Sequence, residues 1–317
     1  MRKGQNPAKF IKEVTKPERI TAAMLAYIPF LSGFYAETLD VLKISLDSMR
    51  KNAGLPFDLL VFDNGSCAEA RDYLIKEKEK GRIQYLILSE KNVGKGGAWN
   101  VILAGAPGEI IAYADSDVLF SPNWLSRSVE ILETFPKVGM VTARPFRTLP
   151  EFYNKTLAWA RKTSGVKLDG GQFIPWETFL EFNLSLGQTE EENKNVYAQT
   201  KDWRIQYKGV TAMAGASHWQ FTAYKSTLQG FLPFEMDKPM GQVRQLDRRM
   251  NDAGLLRLMV SDPLAMNMSN TLGYLRGELN QIGKKKSVSF GKRVLEIGFI
   301  KKILLAVYNK IFNWYYS

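Results

Sequence analysis

The sequence predicts an α/β fold with a mixed, mostly parallel central sheet, and three observations predict it. Short apolar runs alternate with helix-patterned segments through the first 145 residues, the order expected of strands buried between layers of helices. Polar clusters follow the second, third and fourth apolar runs, at Asp63, Asn92 and Asp115. In parallel sheets ligands bind beyond the carboxyl ends of the strands, so these three clusters fall on one edge. Composition is the third observation: 45% of the 317 residues are hydrophobic and 12% aromatic, enough for a large core and too much for a disordered chain.

The elements follow in order. Residues 20–29 (ITAAMLAYIP) read as a buried strand, and 35–51 as a helix with Leu39, Leu42, Ile44, Leu46 and Met49 at helical spacing. A second strand over 57–62 ends at Asp63-Asn64-Gly65-Ser66, and a charged helix over 68–80 leads to a third strand over 83–88. Residues 92–100 (NVGKGGAWN) read as a glycine-rich loop that leads into a helix ending near 104. A strand over 109–114 (EIIAYA) stops at Asp115-Ser116-Asp117, followed by a helix over 122–135 and a strand over 138–143. Helical stretches are expected around 151–163 and 176–186, a solvated loop or helix start at 188–194, strands within 204–224, and a charged helix over 241–253.

Charge is unevenly placed. Residues 1–19 carry +4 and residues 275–317 carry +7, which together make the whole formal net charge of +11. The intervening body is neutral, which disfavours nucleic acid as a partner, because a body that binds a polyanion places its basic excess there. Basic ends fit a surface docked by its termini. One cysteine, Cys67, excludes an intrachain disulfide and any zinc-ligand spacing, and a reducing compartment is the natural setting. The first 19 residues lack the apolar core of a secretory signal, and no apolar run approaches the roughly 20 residues of a membrane span. The expectation is a cytoplasmic protein, soluble or peripheral on the inner face of a membrane.

The strongest chemical signal is Asp115-Ser116-Asp117 directly after a strand. Two carboxylates one residue apart at a strand end can approach one divalent ion, and Mg2+ or Mn2+ prefers such oxygen donors, completed by substrate phosphates. Asp63-Asn64-Gly65-Ser66 reads as an Asn-Gly turn, or as a carboxylate placed to accept a hydrogen bond from a base or ribose. Asn92-Val93-Gly94-Lys95-Gly96-Gly97 lets backbone approach a ligand closely, and its spacing is not that of a Walker A loop.

FDNGS, KNVGKGGAWN and YADSD, each after a strand and in that order, resemble the glycosyltransferase family 2 type of GT-A glycosyltransferase. The resemblance covers residues 20–145 and, more loosely, 205–270. It implies a single GT-A domain: a nucleotide-sugar-binding half over 20–145, an acceptor-binding half over 146–274, a basic segment over 1–19 and a basic C-terminal tail over 275–317. It implies that Asp63 contacts the base, that Ile28 and Pro29 line the nucleotide, and that Asn92, Gly94, Lys95 and Asn100 shape its pocket. Asp115, Ser116 and Asp117 would face the diphosphate, with Asp115 and Asp117 holding Mn2+ or Mg2+. Asp247, in QLDRRMNDAG, matches the family's acidic base, with Glu235 and Asp237 as runners-up. Two departures stand out: FLSGFYAE after the first strand lacks the expected asparagine, and position 64 is Asn where many relatives have a second Asp. No histidine follows Asp247, so a third protein ligand to the metal would be a residue such as Asn267, or water. The single histidine, His218, reads as a residue of the acceptor pocket.

The expected reaction is inverting transfer of a sugar from a nucleotide-diphosphate sugar to an acceptor hydroxyl, on a glycan or a lipid-linked acceptor, in surface glycan or glycolipid synthesis. Residues 284–317 interleave Lys with Phe, Trp and Tyr on an amphipathic helical pattern, which fits an interfacial helix on an anionic membrane; packing on the domain or at a dimer contact is the alternative. Two rivals remain: a sugar-phosphate nucleotidyltransferase, which needs a basic glycine-rich loop after the first strand where FLSGFYAET has no basic residue, and a non-catalytic glycan-binding protein on a membrane.

Overall fold

A computed structural model describes residues 4–237, 243–273 and 275–277. The amphipathic tail expected from residue 275 falls, beyond 277, outside the described residues. Residues up to Leu272 form one unit, and the chain from Gly273 belongs to a second.

The first half alternates as its apolar pattern requires. Strand β1 (Ile20–Ala26) leads to helix α1 (Thr38–Lys51), β2 (Asp58–Asn64), α2 (Ala68–Glu79), β3 (Tyr85–Ser89), α3 (Gly94–Gly105) and β4 (Ile110–Asp115). Short β5 (Val118–Phe120), α4 (Trp124–Thr134) and β6 (Val138–Thr142) follow. β1, β2, β4 and β6 bury almost every residue, which is why they read as continuous apolar runs. The second half comprises α5 (Asn154–Lys162), β7 (Lys167–Gly171), α6 (Trp176–Ser185), α7 (Glu190–Gln199), β8 (Asp202–Tyr207), β9 (Val210–Ala214), β10 (Gln220–Tyr224), α8 (Lys225–Gln229), α9 (Val243–Asp252), β11 (Leu256–Met259) and β12 (Ala265–Asn267).

Among the described residues, ten strands make one sheet in the order β3-β2-β1-β4-β10-β6-β11-β9-β8-β7, and β12 pairs with β5 in a separate ribbon. β3, β2, β1 and β4 are parallel. β10 lies antiparallel between β4 and β6, and β11 runs parallel to β6. The insertion of β10 places the start of a late strand, Gln220, beside Ala114 at the end of β4. On one face Trp99, Tyr113, Phe221 and Phe234 pack edge-on or stacked, with ring centroids 5.2–5.7 Å apart. The opposite face carries the larger cluster built on α1, α2 and α4, with Leu42, Leu46, Leu74 and Trp124 fully or nearly buried.

One sequence expectation is corrected, and one open alternative is decided in favour of a helix start. The glycine-rich stretch expected as a loop is helical from Gly94 onward: its small residues let the first turns of α3 lie close, where a Cβ at Gly97 would meet Val93 and Met236 at 2.8–3.0 Å. The segment expected as loop or helix start at 188–194 is the first half of α7, begun by a capping box in which Thr189 and Glu192 exchange hydrogen bonds. No helix of the described residues is long and apolar enough to cross a membrane.

Candidate active site

β4 stays buried as far as Ala114 and releases the chain at Asp115. The main chain fixes both aspartates: the Asp115 N–H donates to the Trp219 carbonyl at 2.9 Å, and the Asp117 carbonyl accepts from the Met268 N–H at 2.8 Å. The Asp115 carboxylate is compensated. Lys95 Nζ lies 2.7 Å from each of its oxygens, and the Tyr113 hydroxyl donates to Oδ1 at 2.6 Å. Lys95 is itself buried and lies over the Trp99 and Tyr113 rings at 5.5 and 5.6 Å. Burial, with the Asp115 charge beside it, holds the Tyr113 phenol well above its usual value, so it stays a donor. Asp117 differs. Burial and then the Asp115 charge push its carboxyl up to about 7, only partly offset by Lys95.

That imbalance is how the site fits a divalent cation. Asp117 is a carboxylate whose ionised form lacks a balancing charge, its donors are hard oxygens, and Asn267 stands close by on β12, opposite Val118 of β5. No group of three His, Cys, Asp or Glu side chains able to hold a metal occurs among the described residues, so phosphate oxygens and water would complete the shell.

The loops beside the pair are held internally. Asp63, fully buried, accepts from the Ser66 N–H at 3.2 Å and from Arg71 Nε at 3.3 Å. Its carboxylate organises the loop after β2. Asn64 joins that loop to the next: its amide donates to Asn92 Oδ1 at 2.9 Å and accepts from the Val93 N–H at 2.9 Å. Asn92 Oδ1 also accepts from the Gly94 N–H at 2.8 Å, where the chain enters α3 with φ +70°. Ile28 is buried, donates its N–H to Ser66 Oγ and accepts from the Cys67 N–H; Pro29 and Ser116 are partly exposed. Asn100, expected in the nucleotide pocket, is engaged elsewhere, bonding both backbone groups of Phe234 at 2.6 and 2.8 Å.

Asp247 lies on α9, and its carboxylate is shared. Oδ2 is 2.6 Å from His218 Nδ1, and Oδ1 pairs with Arg257 Nη2. Arg257 is fully buried on β11 and also donates to the carbonyls of Ala216 at 2.5 Å and Phe152 at 2.8 Å. Burial pulls its guanidinium down from the usual value while Asp247 holds it up. His218 and Trp219 form the tip of a turn closed by a Ser217–Gln220 bridge, so Asp247 is connected through His218 to the residue that holds Asp115. Sequence reasoning missed Arg257. The signal was there: a lone arginine inside the apolar run LLRLMV needs a buried partner. Trp219 packs on Phe146 and Phe182. A groove of about 480 Å³ lined by Arg19, Leu55, Ser126 and Glu133 lies at the amino-terminal edge of β1; it brings together none of these groups.

A mixed sheet with helices on both faces and an acidic pair at the end of one of its parallel strands defines an α/β domain. Residues 33–184 match the family model described as Glycosyl transferase family 2. An uncharacterized glycosyltransferase of Nostoc sp. is 29% identical over 97 residues, 31% of this chain and 30% of that one. Among solved structures, a mannosyltransferase of Pyrobaculum calidifontis in complex with GDP-Man and Mn2+ is 17% identical with TM-score 0.46, over 78% of this chain and 55% of the other. S. aureus TarS in complex with UDP-GlcNAc is 14% identical with TM-score 0.47, over 78% and 57%. The chain thus spans less than a third of the curated relative and little more than half of these solved chains.

Proposed function

We propose that the chain transfers a sugar from a nucleotide-diphosphate sugar to an acceptor hydroxyl, with inversion and with a divalent cation. The observation that carries this is the acidic pair at the carboxyl end of β4, one carboxylate balanced by Lys95 and Tyr113 and the other, Asp117, unbalanced. When bound, Mn2+ or Mg2+ would neutralise charge on the departing diphosphate. Asp117 would hold it, with Asp115 beside it and Asn267 within the same ribbon. Lys95, fixed on Asp115, adds a second positive charge at the same edge. The loops of Ile28, Pro29, Asp63 and Asn92, tied by Asn64, form the wall for the nucleotide, with Gly94 and Ser116 presenting backbone. Asp247 and His218 stand on the other side of Asp115 and supply the base. The acceptor oxygen then attacks the anomeric carbon opposite the diphosphate, which inverts that centre.

The acceptor fits a glycan or lipid-linked glycan, because the +7 carried by residues 275–317 would draw the chain to an anionic membrane surface. That combination favours glycolipid or surface glycan synthesis at the cytoplasmic face. The central test is substitution: Asp115→Ala and Asp117→Ala should each remove release of nucleoside diphosphate from the donor, while the cooperative thermal transition persists. Full turnover in either variant, or undiminished turnover in excess chelator, rejects the mechanism.

A further inference from the structure

We propose that the group which takes the acceptor's proton is Nε2 of His218, and that Asp247 is the positioning residue behind it. This rests on the transferase reading above and deepens it. Both Asp247 oxygens are engaged inside the protein, Oδ1 by the buried Arg257 guanidinium and Oδ2 by His218 Nδ1 at 2.6 Å. With both oxygens bonded inside the protein, the carboxylate is poorly placed to meet an acceptor hydroxyl itself. Exposure separates the two side chains: 7% for Asp247 and 19% for His218.

The tautomer follows from the partner. An ionised carboxylate accepts only, so the proton of the neutral imidazole sits on Nδ1 and Nε2 keeps its lone pair. Nε2 makes no hydrogen bond to another described residue. The ring belongs to the turn whose next residue, Trp219, accepts from the Asp115 N–H, so the turn that carries it and the acidic pair meet at one strand edge. The step balances. The acceptor O–H proton moves to Nε2 as the oxygen bonds to the anomeric carbon. The carbon–oxygen bond to the diphosphate breaks, and its electron pair leaves with the nucleoside diphosphate. Asp247 stabilises the imidazolium until the proton passes to solvent, and Arg257 fixes the carboxylate in place.

Two measurements test this. The chain has one histidine, so in untagged 15N-labelled protein every imidazole nitrogen signal is His218. At about pH 8, where an ordinary imidazole is neutral, the expected spectrum is the Nδ1–H tautomer, and an Nε2–H tautomer overturns the proposal. The second is release of nucleoside diphosphate, with water as acceptor, across UDP-, GDP-, ADP-, dTDP- and CMP-sugars. His218→Ala should lower it by about 10²–10⁴-fold, leave the thermal shift by the matching nucleoside diphosphate unchanged, and be partly restored by added imidazole. Asp247→Asn should lower kcat with KM for the donor unmoved. An active wild type with a His218→Ala rate within about threefold of it rejects His218 alone; a wild type inert toward every donor rejects the transferase reading and this one with it.

Discussion

Asp115 and Asp117 stand two residues apart in unlike electrostatic settings. Asp115 has Lys95 and Tyr113; Asp117 has burial and a like charge, and titrates at about 7 against an ordinary 3.8. Between those values the folded chain binds a proton that the unfolded chain has lost, so stability falls as pH rises from about 4 to about 7 and levels off above. Asp117→Asn removes that penalty. In cation-free buffer at pH 8 the variant should be more stable than wild type by on the order of 2–4 kcal/mol, with little difference at pH 4. Adding Mn2+ should raise the wild-type melting temperature and leave the variant's where it was. Melting curves of both proteins across this range, with and without Mn2+, check each part. The pair was readable in the sequence, because two Asp after an apolar run is a local pattern. The Lys95 ammonium that separates their behaviour was not, because its role as partner of Asp115 depends on α3 packing over β4.

At the scale of elements, the turn after β2 is tightly constrained within the proposed nucleotide wall. Gly65 has φ +84°, and a Cβ there would lie 3.1 Å from the Asn92 N and 3.2 Å from the Lys91 carbonyl carbon. Gly65→Ala therefore strains its own backbone and presses on the neighbouring loop, at a cost of about 1–3 kcal/mol. The expected outcome is a lower denaturation midpoint with an unchanged m-value, together with weaker binding of nucleoside diphosphate by calorimetry. The parallel strands were readable from apolar runs alone. β7 was not: KLDGG offers no alternation, buries none of its residues fully, and is a strand only because it pairs with β8 along five residues. The glycine-rich stretch misled for a related reason, since intrinsic preference favours a loop there and close packing of small residues overrides it.

Over the whole molecule, the sheet joins residues that are far apart in sequence. β10, between β4 and β6, brings residue 219 beside residue 115, and no local pattern announces an antiparallel insertion into a parallel sheet. The position of Asp247 was readable as a motif, whereas its bonds to His218 and Arg257 depend on that insertion. Charge, by contrast, is entirely a sequence property. With the excess confined to 1–19 and 275–317, the protein should float with vesicles containing phosphatidylserine at low salt, release as ionic strength passes about 0.5 M, and ignore neutral vesicles. Removal of residues 278–317 should abolish flotation and leave nucleotide binding intact; flotation assays on the two proteins decide it.

The acidic turn is fastened from late in the chain. β12 pairs with β5, Met268 holds the Asp117 carbonyl, and Asn270, Thr271 and Leu272 bond to Phe34 and Glu37 in the segment after β1. During synthesis a nascent chain can gather β1–β4, with both aspartates, long before residue 268 leaves the ribosome. Until then the Asp117 carbonyl lacks its partner and the segment around Phe34 has nothing to close against. Competence to bind the donor should therefore arrive late and abruptly in translation, and stalled chains ending before residue 264 should resist proteases across the early strands while failing to retain a nucleotide.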